Sequence, residues 1–139
     1  MTLGRERITL DASVIIAHFN MHDTHHEAAN ALLAHHHHGF LMHSLTLAEV
    51  LVAPARGRRL TAAMQALAHL GIEEWSPEPG RARDLAELRI ETGLKMPDVC
   101  VLDAALCTGT ALATFDGRLA AGAGSCGLRV VSPQTPDLQ

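Results

Sequence analysis

Apolar and polar positions along the chain follow a pattern typical of short buried strands that alternate with helices. Apolar runs of strand length occur at 8–11, 40–43, 72–75, 111–115 and 128–131. Segments with helical spacing of apolar residues lie between them at 13–19, 24–33, 46–54, 60–70, 81–92, 97–107 and 117–121. Parallel strands need crossover connections, which are usually helices. The alternation therefore predicts an α/β fold with a mainly parallel sheet covered by helices on both faces.

Individual residues indicate where several of these helices begin and end. Thr24 and Glu27 have the spacing of a capping box, in which each side chain bonds to the other residue's backbone. Thr46 is a second predicted N-cap, for a helix that ends near Pro54. Pro97 suits a first helical turn, where its missing N–H would have no partner.

Composition predicts one domain over residues 1–139, in the cytoplasm. Hydrophobic residues make up 47% of the chain but aromatic residues only 3%, so the core must be built from Ala, Leu, Val and Ile. The three cysteines have no CxxC spacing, which argues against a disulfide framework and fits a reducing compartment. No apolar stretch reaches membrane-spanning length, so no membrane association is expected.

The net negative charge of the chain restricts the kinds of nucleic-acid-binding protein that it could be. The net charge is −4, from 11 basic and 15 acidic residues, whereas phosphate binding needs Lys and Arg. Setting aside four acids that form a candidate site leaves 11 acids against 11 bases. Because bound cations would cancel those four charges, the balance fits a metal-dependent enzyme better than a metal-free nucleic-acid binder.

The four acids are Asp11, Glu49, Asp98 and Asp116. Asp11 and Asp116 follow predicted strands, Asp98 lies in a first helical turn, and Glu49 has apolar neighbours on a stripe that is not expected to be solvated. Taken singly, each has an ordinary explanation as a cap, a turn residue or a surface acid. The carboxyl ends of parallel strands lie at one edge of a sheet, so the set is expected to converge there.

Clustered carboxylates repel one another unless cations are bound between them. Their hard oxygen ligands suit Mg²⁺ or Mn²⁺, which activate water for an in-line displacement at phosphorus. Asp103 complicates the set, because it lies about 140° around the helix from Asp98. It is expected either at the edge of the site or in a salt bridge. Lys95 is a possible partner for Asp98.

Four ordered segments of the sequence resemble those of PIN-domain ribonucleases, in particular the VapC toxins of toxin–antitoxin pairs. They are Leu10–Ile16 (LDASVII), Ser44–Val50 (SLTLAEV), Lys95–Ala105 (KMPDVCVLDAA) and Ala113–Leu119 (ATFDGRL). No single segment is specific, but their order is, and the resemblance covers nearly the whole chain.

The resemblance implies a three-layer α/β/α domain and a Mg²⁺- or Mn²⁺-dependent endoribonuclease acting on RNA. It also implies a homodimer and a VapB-type antitoxin partner. Asp11, Glu49, Asp98 and Asp116 match the family's acids. Ser13 and Thr114 match hydroxyls beside the first and last of these acids. They are expected either to hold a ligand carboxylate or a metal-bound water, or to form local turn bonds.

Two features depart from the family's pattern. The run His35–His38 is expected to be a solvated helix end, although adventitious binding of Ni²⁺ or Zn²⁺ is an alternative. The chain also lacks an overall basic charge, so RNA binding would depend on local patches. Arg118 lies close to Asp116, and a basic cluster further from the acids is formed by Arg56, Arg58 and Arg59.

Other functions remain open on the sequence alone. A metal-dependent phosphoesterase acting on DNA ends or flaps would use the same acids. A catalytically inactive binding module of the same fold is disfavoured because all four acid positions are filled. A phospho-acceptor receiver domain is also disfavoured, because Leu10 stands where that domain needs a second acid beside Asp11.

Overall fold

The computed structural model describes residues 6–131 and places a five-stranded parallel sheet between two groups of helices. The strands are β1 (Ile8–Leu10), β2 (Phe40–His43), β3 (Ile72–Trp75), β4 (Ala111–Ala113) and β5 (Val130–Val131). The helices are α1 (Ala12–Phe19), α2 (His26–His35), α3 (Ser44–Arg56), α4 (Leu60–His69), α5 (Ala82–Thr92), α6 (Met96–Thr108) and α7 (Gly117–Ser125). No helix in the described part of the chain is both long and apolar enough to cross a membrane.

The strand order is β3-β2-β1-β4-β5, and every neighbouring pair is parallel. Alternate residues of the central strands face opposite sides, so the sheet has a core on each face. One core includes Ile8, Phe40 and Met42 with apolar side chains of α1 to α4. The other contains Leu112 with apolar side chains of α5 to α7. The predicted three-layer α/β/α architecture is confirmed.

The predicted capping box of α2 is wrong. Thr24 is exposed, the N-cap residue is His25, and no side chain caps the helix. Asp23 orders this turn instead, because its Oδ1 accepts a hydrogen bond of 2.8 Å from the backbone N of His25. An Asx turn before the helix thus replaces the capping box that the Thr24–Glu27 spacing predicts.

The predicted boundaries of α3 are also wrong. Thr46 is a buried residue within the helix, and the cap is His43, whose Nδ1 accepts from the backbone N of Leu45 at 3.0 Å. Pro54 lies inside the helix, which continues to Arg56. A proline in the last turn removes one backbone bond without breaking the helix, and the Pro54 carbonyl still accepts from the backbone N of Arg59 at 2.8 Å.

Candidate active site

The ends of β1 and β4 bring Asp11 beside Thr114. The two strands are adjacent and parallel, with Leu10 paired to Ala113. The backbone N of Asp11 donates to the Ala113 carbonyl at 3.0 Å, which fixes the first residue after each strand. Strands β1 and β4 end earlier than the sequence pattern predicts, because the residues that follow them form a turn network rather than a ladder.

Asp11 is buried, with 8% of its surface exposed, and its carboxylate is held on one side only. Its Oδ2 accepts hydrogen bonds from Ser13 Oγ at 2.8 Å and from Thr114 Oγ1 at 2.7 Å. No residue in the described part of the chain donates to Oδ1. Hydrogen bonds to the charged form offset the cost of burying a carboxylate. Asp11 is therefore held in a fixed orientation with one oxygen available.

The same two hydroxyls also hold the segment after β4. Each hydroxyl has one proton, and it uses that proton in the hydrogen bond to Asp11. Towards other groups the hydroxyl oxygen therefore acts as an acceptor. Ser13 Oγ accepts from the backbone N of Phe115 at 3.0 Å, and Thr114 Oγ1 accepts from the backbone N of Asp116 at 2.9 Å. Ser13 and Thr114 thus combine the two predicted roles, carboxylate orientation and turn bonding.

Asp116 is exposed at the N-terminus of α7, which it caps. Its Oδ1 accepts from the backbone N atoms of Arg118 and Leu119 at 2.9 and 3.3 Å. An anion at this end of a helix is stabilised by the helix dipole. The predicted turn role of Asp116 is present, and it also fixes the carboxylate beside the end of β4.

Asp98 lies in the first turn of α6 and is half-buried. Burial raises its pKa, and the negative charges of Asp11, Asp116 and Glu49 raise it further, while Arg118 acts in the opposite direction. The other three predicted acids are therefore all within electrostatic range of Asp98. The proposed pairing with Lys95 is not found, since Lys95 makes no ion pair in the part of the chain that the structure describes.

Glu49 lies on α3, where its side chain is exposed. Ala53, one turn later, is also exposed, and Leu45, one turn earlier, retains 40% of its accessible surface. The prediction that this stripe is not solvated is therefore wrong for Glu49, Leu45 and Ala53, although Thr46, close to the same stripe, is buried. Glu49 nevertheless raises the pKa of Asp98 through its negative charge, so α3 carries it within electrostatic range of that acid.

Asp103 is not one of the grouped acids. It is 1% exposed and forms a salt bridge with Arg81, whose Nη2 donates to Oδ1 and whose Nε donates to Oδ2 at 3.4 Å. Arg81 also contacts Asp84 at 3.0 Å. Of the two roles expected for Asp103, the structure shows the salt bridge. Arg81 was not singled out from the sequence, because its partner lies 22 residues away.

A second buried polar group lies near Asp103. His43 Nδ1 accepts a backbone hydrogen bond, so the proton of the neutral ring is on Nε2. That Nε2 and the hydroxyl of Thr46 are both buried and have no partner among the described residues. Burial lowers the pKa of His43, and the charge of Asp103 opposes this effect.

The acid group has the right ligand chemistry for a hard divalent cation. All four members offer carboxylate oxygens, and their mutual repulsion at Asp98 is the kind that a cation relieves. In the arrangement described for residues 6–131, however, no three His, Cys, Asp or Glu side chains stand close enough to form a ready-made metal cage. The residues therefore fit the ion by type and by charge, and closer approach would be needed to coordinate it.

The predicted basic residues differ in their relation to the acids. Arg118 is exposed and lowers the pKa of Asp98. Arg56, Arg58 and Arg59 are exposed where α3 connects to α4, and they are not among the charges that shift Asp98. Only Arg118 is thus positioned electrostatically with the acid group among these predicted cations.

The histidine run has separate local roles. His35 ends α2, and its Nδ1 donates to the Ala31 carbonyl at 2.8 Å. His36 Nε2 donates to the Glu6 carbonyl at 2.7 Å, and its ring packs 5.3 Å from that of Phe40. His37 and His38 are exposed. The run is thus the end of a helix, with His36 partly buried rather than fully solvated.

The candidate acids lie at the carboxyl edge of a parallel α/β sheet, which is where folds of this kind bind their ligands. The sequence profile of the PIN domain family matches residues 8–124. The chain belongs to the PIN domain family, and the resemblance drawn from its sequence segments is confirmed. Proteins of this family are typically nucleases and are generally dependent on divalent metal ions.

Solved structures share the fold at low sequence identity. A toxin–antitoxin complex from Klebsiella pneumoniae aligns with a TM-score of 0.74 at 22% identity, over 91% of this chain and 97% of that one. FitAcB from Neisseria gonorrhoeae aligns with a TM-score of 0.68 at 19% sequence identity, over 91% of this chain and 97% of that one. VapC20 of Mycobacterium tuberculosis, a sarcin–ricin-loop-cleaving toxin, aligns with a TM-score of 0.66 at 19% sequence identity, over 82% of this chain and 93% of that one. No curated protein sequence matches the chain.

Proposed function

We propose that this protein is a Mg²⁺- or Mn²⁺-dependent endoribonuclease of the VapC type, a toxin neutralised by a VapB-type antitoxin. One observation carries the proposal: Asp98 is under the combined negative charge of Asp11, Asp116 and Glu49. Four carboxylates held at one edge of a sheet are unfavourable for a protein without a cation. Family membership and the toxin–antitoxin structures that share the fold support the same function.

Asp11, Glu49, Asp98 and Asp116 are the proposed ligands and catalytic acids. A bound divalent ion would lower the pKa of water and neutralise charge at the scissile phosphate. Asp11 would present its free Oδ1, because Ser13 and Thr114 hold Oδ2. The exposed side chain of Glu49 would have to turn toward the other three to share an ion with them. Arg118, which already acts on Asp98, is placed to bind a phosphate oxygen of the RNA.

The test is cleavage of a labelled single-stranded RNA by the purified protein. Asp98→Asn should abolish cleavage in Mg²⁺ while leaving the thermal unfolding transition cooperative, and EDTA should abolish cleavage by the parent protein. Glu78→Gln is the matched control, because Glu78 is an exposed acid with no hydrogen bond or ion pair in the described structure. Equal cleavage by the parent protein and Asp98→Asn would refute the site.

An apolar groove supports the proposed antitoxin partner. It lies between α1, α3 and α4, has a volume of about 540 Å³, and is lined by residues that include Ile16, Phe19 and Ala63. Ile16 and Phe19 keep 52% and 49% of their surfaces exposed. Apolar area of this kind gains free energy when a partner covers it. We propose that an apolar segment of the antitoxin binds here.

Co-expression with the reading frame adjacent to this gene tests the groove. Phe19→Asp should prevent co-purification of the small neighbouring protein. Ile90→Asp is the control, because Ile90 is an 82% exposed apolar residue on α5, outside the groove. Loss of the complex in both variants, or in neither, would exclude the groove as the docking site.

The remaining assignments also belong to the proposal. We place the protein in the cytoplasm, where its RNA substrate and its partner would be, and treat residues 1–139 as one nuclease domain that forms a homodimer. Sedimentation equilibrium over a range of concentrations measures the oligomeric state. A mass equal to one chain at all concentrations would exclude the homodimer.

A further inference from the structure

The ring of His25 packs flat against that of Phe115 at the edge of the acid group. The ring centroids are 4.2 Å apart and the planes are inclined by only 8°. Both residues are partly buried. Stacking of this kind favours one mutual orientation of the two rings, so it holds the plane of the imidazole. The ring nitrogens of His25 have no hydrogen-bond partner within residues 6–131.

A chain of side-chain hydrogen bonds positions the start of α2, which His25 directly precedes. His26 Nδ1 donates to the Ala17 carbonyl at 2.8 Å, so its Nε2 accepts from Asn30 Nδ2 at 3.1 Å. Asn30 Oδ1 in turn accepts from His18 Nδ1 at 2.6 Å. This network ties the start of α2 to α1, and it is satisfied at each step. His25, by contrast, is left with free nitrogens.

Phe115 links His25 directly to the acids. Its backbone N donates to Ser13 Oγ at 3.0 Å, and the same hydroxyl donates to Asp11 Oδ2 at 2.8 Å. The next residue along the chain is Asp116. The imidazole therefore packs on the segment that joins the first and last acids, and it comes from the residue before α2, a helix that contributes none of the four.

We propose that His25 is a substrate-contacting residue that donates a ring N–H to a backbone phosphate of the RNA beside the scissile bond. The inference rests on the proposed ribonuclease function. An acidic site needs donors for the flanking phosphates, and among the predicted cations only Arg118 is linked to the acids. A neutral imidazole always carries one N–H, so it binds phosphate without adding a fixed positive charge that would repel a divalent cation.

The test uses the Asp98→Asn background, in which RNA binding can be measured without cleavage. Affinity for a labelled single-stranded RNA in Mg²⁺ is determined by fluorescence anisotropy. His25→Phe keeps an aromatic ring against Phe115 but has no N–H, and should weaken binding roughly ten- to a hundredfold, the effect of one lost hydrogen bond to a charged group. His25→Gln, which restores a donor, should recover part of the loss. His38→Phe, at an exposed position in the histidine run, should bind like the background protein.

RNA carrying a single methylphosphonate, which removes one phosphate charge, identifies the contact. At one position the substitution should weaken binding to the background protein but not to His25→Phe, as expected for two groups that share an interaction. Equal affinity of His25→Phe and the background protein would overturn the inference, and so would a folded His25→Gln that binds no better than His25→Phe. If the parent protein neither binds nor cleaves RNA, the proposed function fails first and the inference fails with it.

Discussion

The hydroxyl of Thr114 donates a 2.7 Å hydrogen bond to Oδ2 of Asp11, across 103 residues of sequence. Adjacent parallel strands bring the two together, since Asp11 follows β1 and Thr114 follows β4. The bond orients an acid that would be costly to bury without donors. It also leaves the second oxygen of that acid without a donor among residues 6–131, and so available for a ligand.

Replacing Thr114 by Val should therefore weaken both the fold and the site. Valine has a similar shape but no hydroxyl, so it removes one of the two donors to Asp11 and the acceptor for the backbone N of Asp116. We expect a loss of about 1–3 kcal/mol in the free energy of unfolding, measured by urea denaturation. Mn²⁺ affinity, measured by calorimetry, should also fall. Thr114→Ser is the control and should retain most of both properties.

Asp98→Asn should stabilise the protein in the absence of divalent metal at neutral pH. The pKa of Asp98 is raised in the folded state, first by burial and then by the neighbouring acids, so its ionised form opposes folding above that pKa. We expect the melting temperature to rise by roughly 1–3 °C, which is below about 1 kcal/mol for a domain of this size. The rise should shrink as the pH falls through the raised pKa, because Asp98 then binds a proton in the parent protein.

Mg²⁺ should reverse this ranking. A ligand that binds only the folded state raises its stability, so the parent protein should gain more from Mg²⁺ than Asp98→Asn does. Differential scanning fluorimetry at several pH values measures both effects. A variant that is less stable than the parent protein without metal at pH 7 would contradict the electrostatic account of the acid group.

Breaking the salt bridge between Arg81 and Asp103 should destabilise the fold without removing the nuclease chemistry. Asp103 is 1% exposed, so Arg81→Met leaves a buried charge without its partner and should cost about 3 kcal/mol. Arg81→Met combined with Asp103→Leu should recover much of that stability, since no charge is then left buried. RNA cleavage per folded molecule should remain within a few-fold of the parent protein. A loss of cleavage as large as that caused by replacing one of the four site acids would instead place Asp103 in the site.

Thr46→Val should be neutral or slightly stabilising. The Thr46 hydroxyl is buried without a partner among the described residues, and an unsatisfied buried hydroxyl costs about 1–3 kcal/mol. Valine keeps the shape and removes the polar atom. A clear loss of stability in urea denaturation would show that the hydroxyl has a partner, and a high-resolution crystal structure should then show an ordered water between Thr46 and its surroundings.

The hydrophobic pattern predicts the order and type of the elements well, because apolar periodicity records which face of each segment is buried. It does not predict the ends of α2 and α3, where Asp23 and His43 make the local contacts in place of Thr24 and Thr46. Many polar side chains can satisfy a helix start, and the choice among them depends on packing around the turn.

The acids of the candidate site could be selected from the sequence, because strand ends of a parallel sheet share one edge. Arg81 and His25 could not. Each acts on a residue far along the chain, Asp103 and Phe115 respectively, and neither position has a local pattern that indicates it. Contacts of this kind follow from the crossing of helices over the sheet, and they become visible only in the folded chain.

The distance in sequence between Asp11 and Thr114 has a consequence for synthesis of the protein. A nascent chain carries Asp11 from the start, but the donor that Thr114 supplies and the fourth acid, Asp116, emerge from the ribosome only after more than a hundred further residues. An incomplete translation product therefore lacks part of the acid group. Fragments released by stalled ribosomes would carry Asp11 without the partners that make it part of a site.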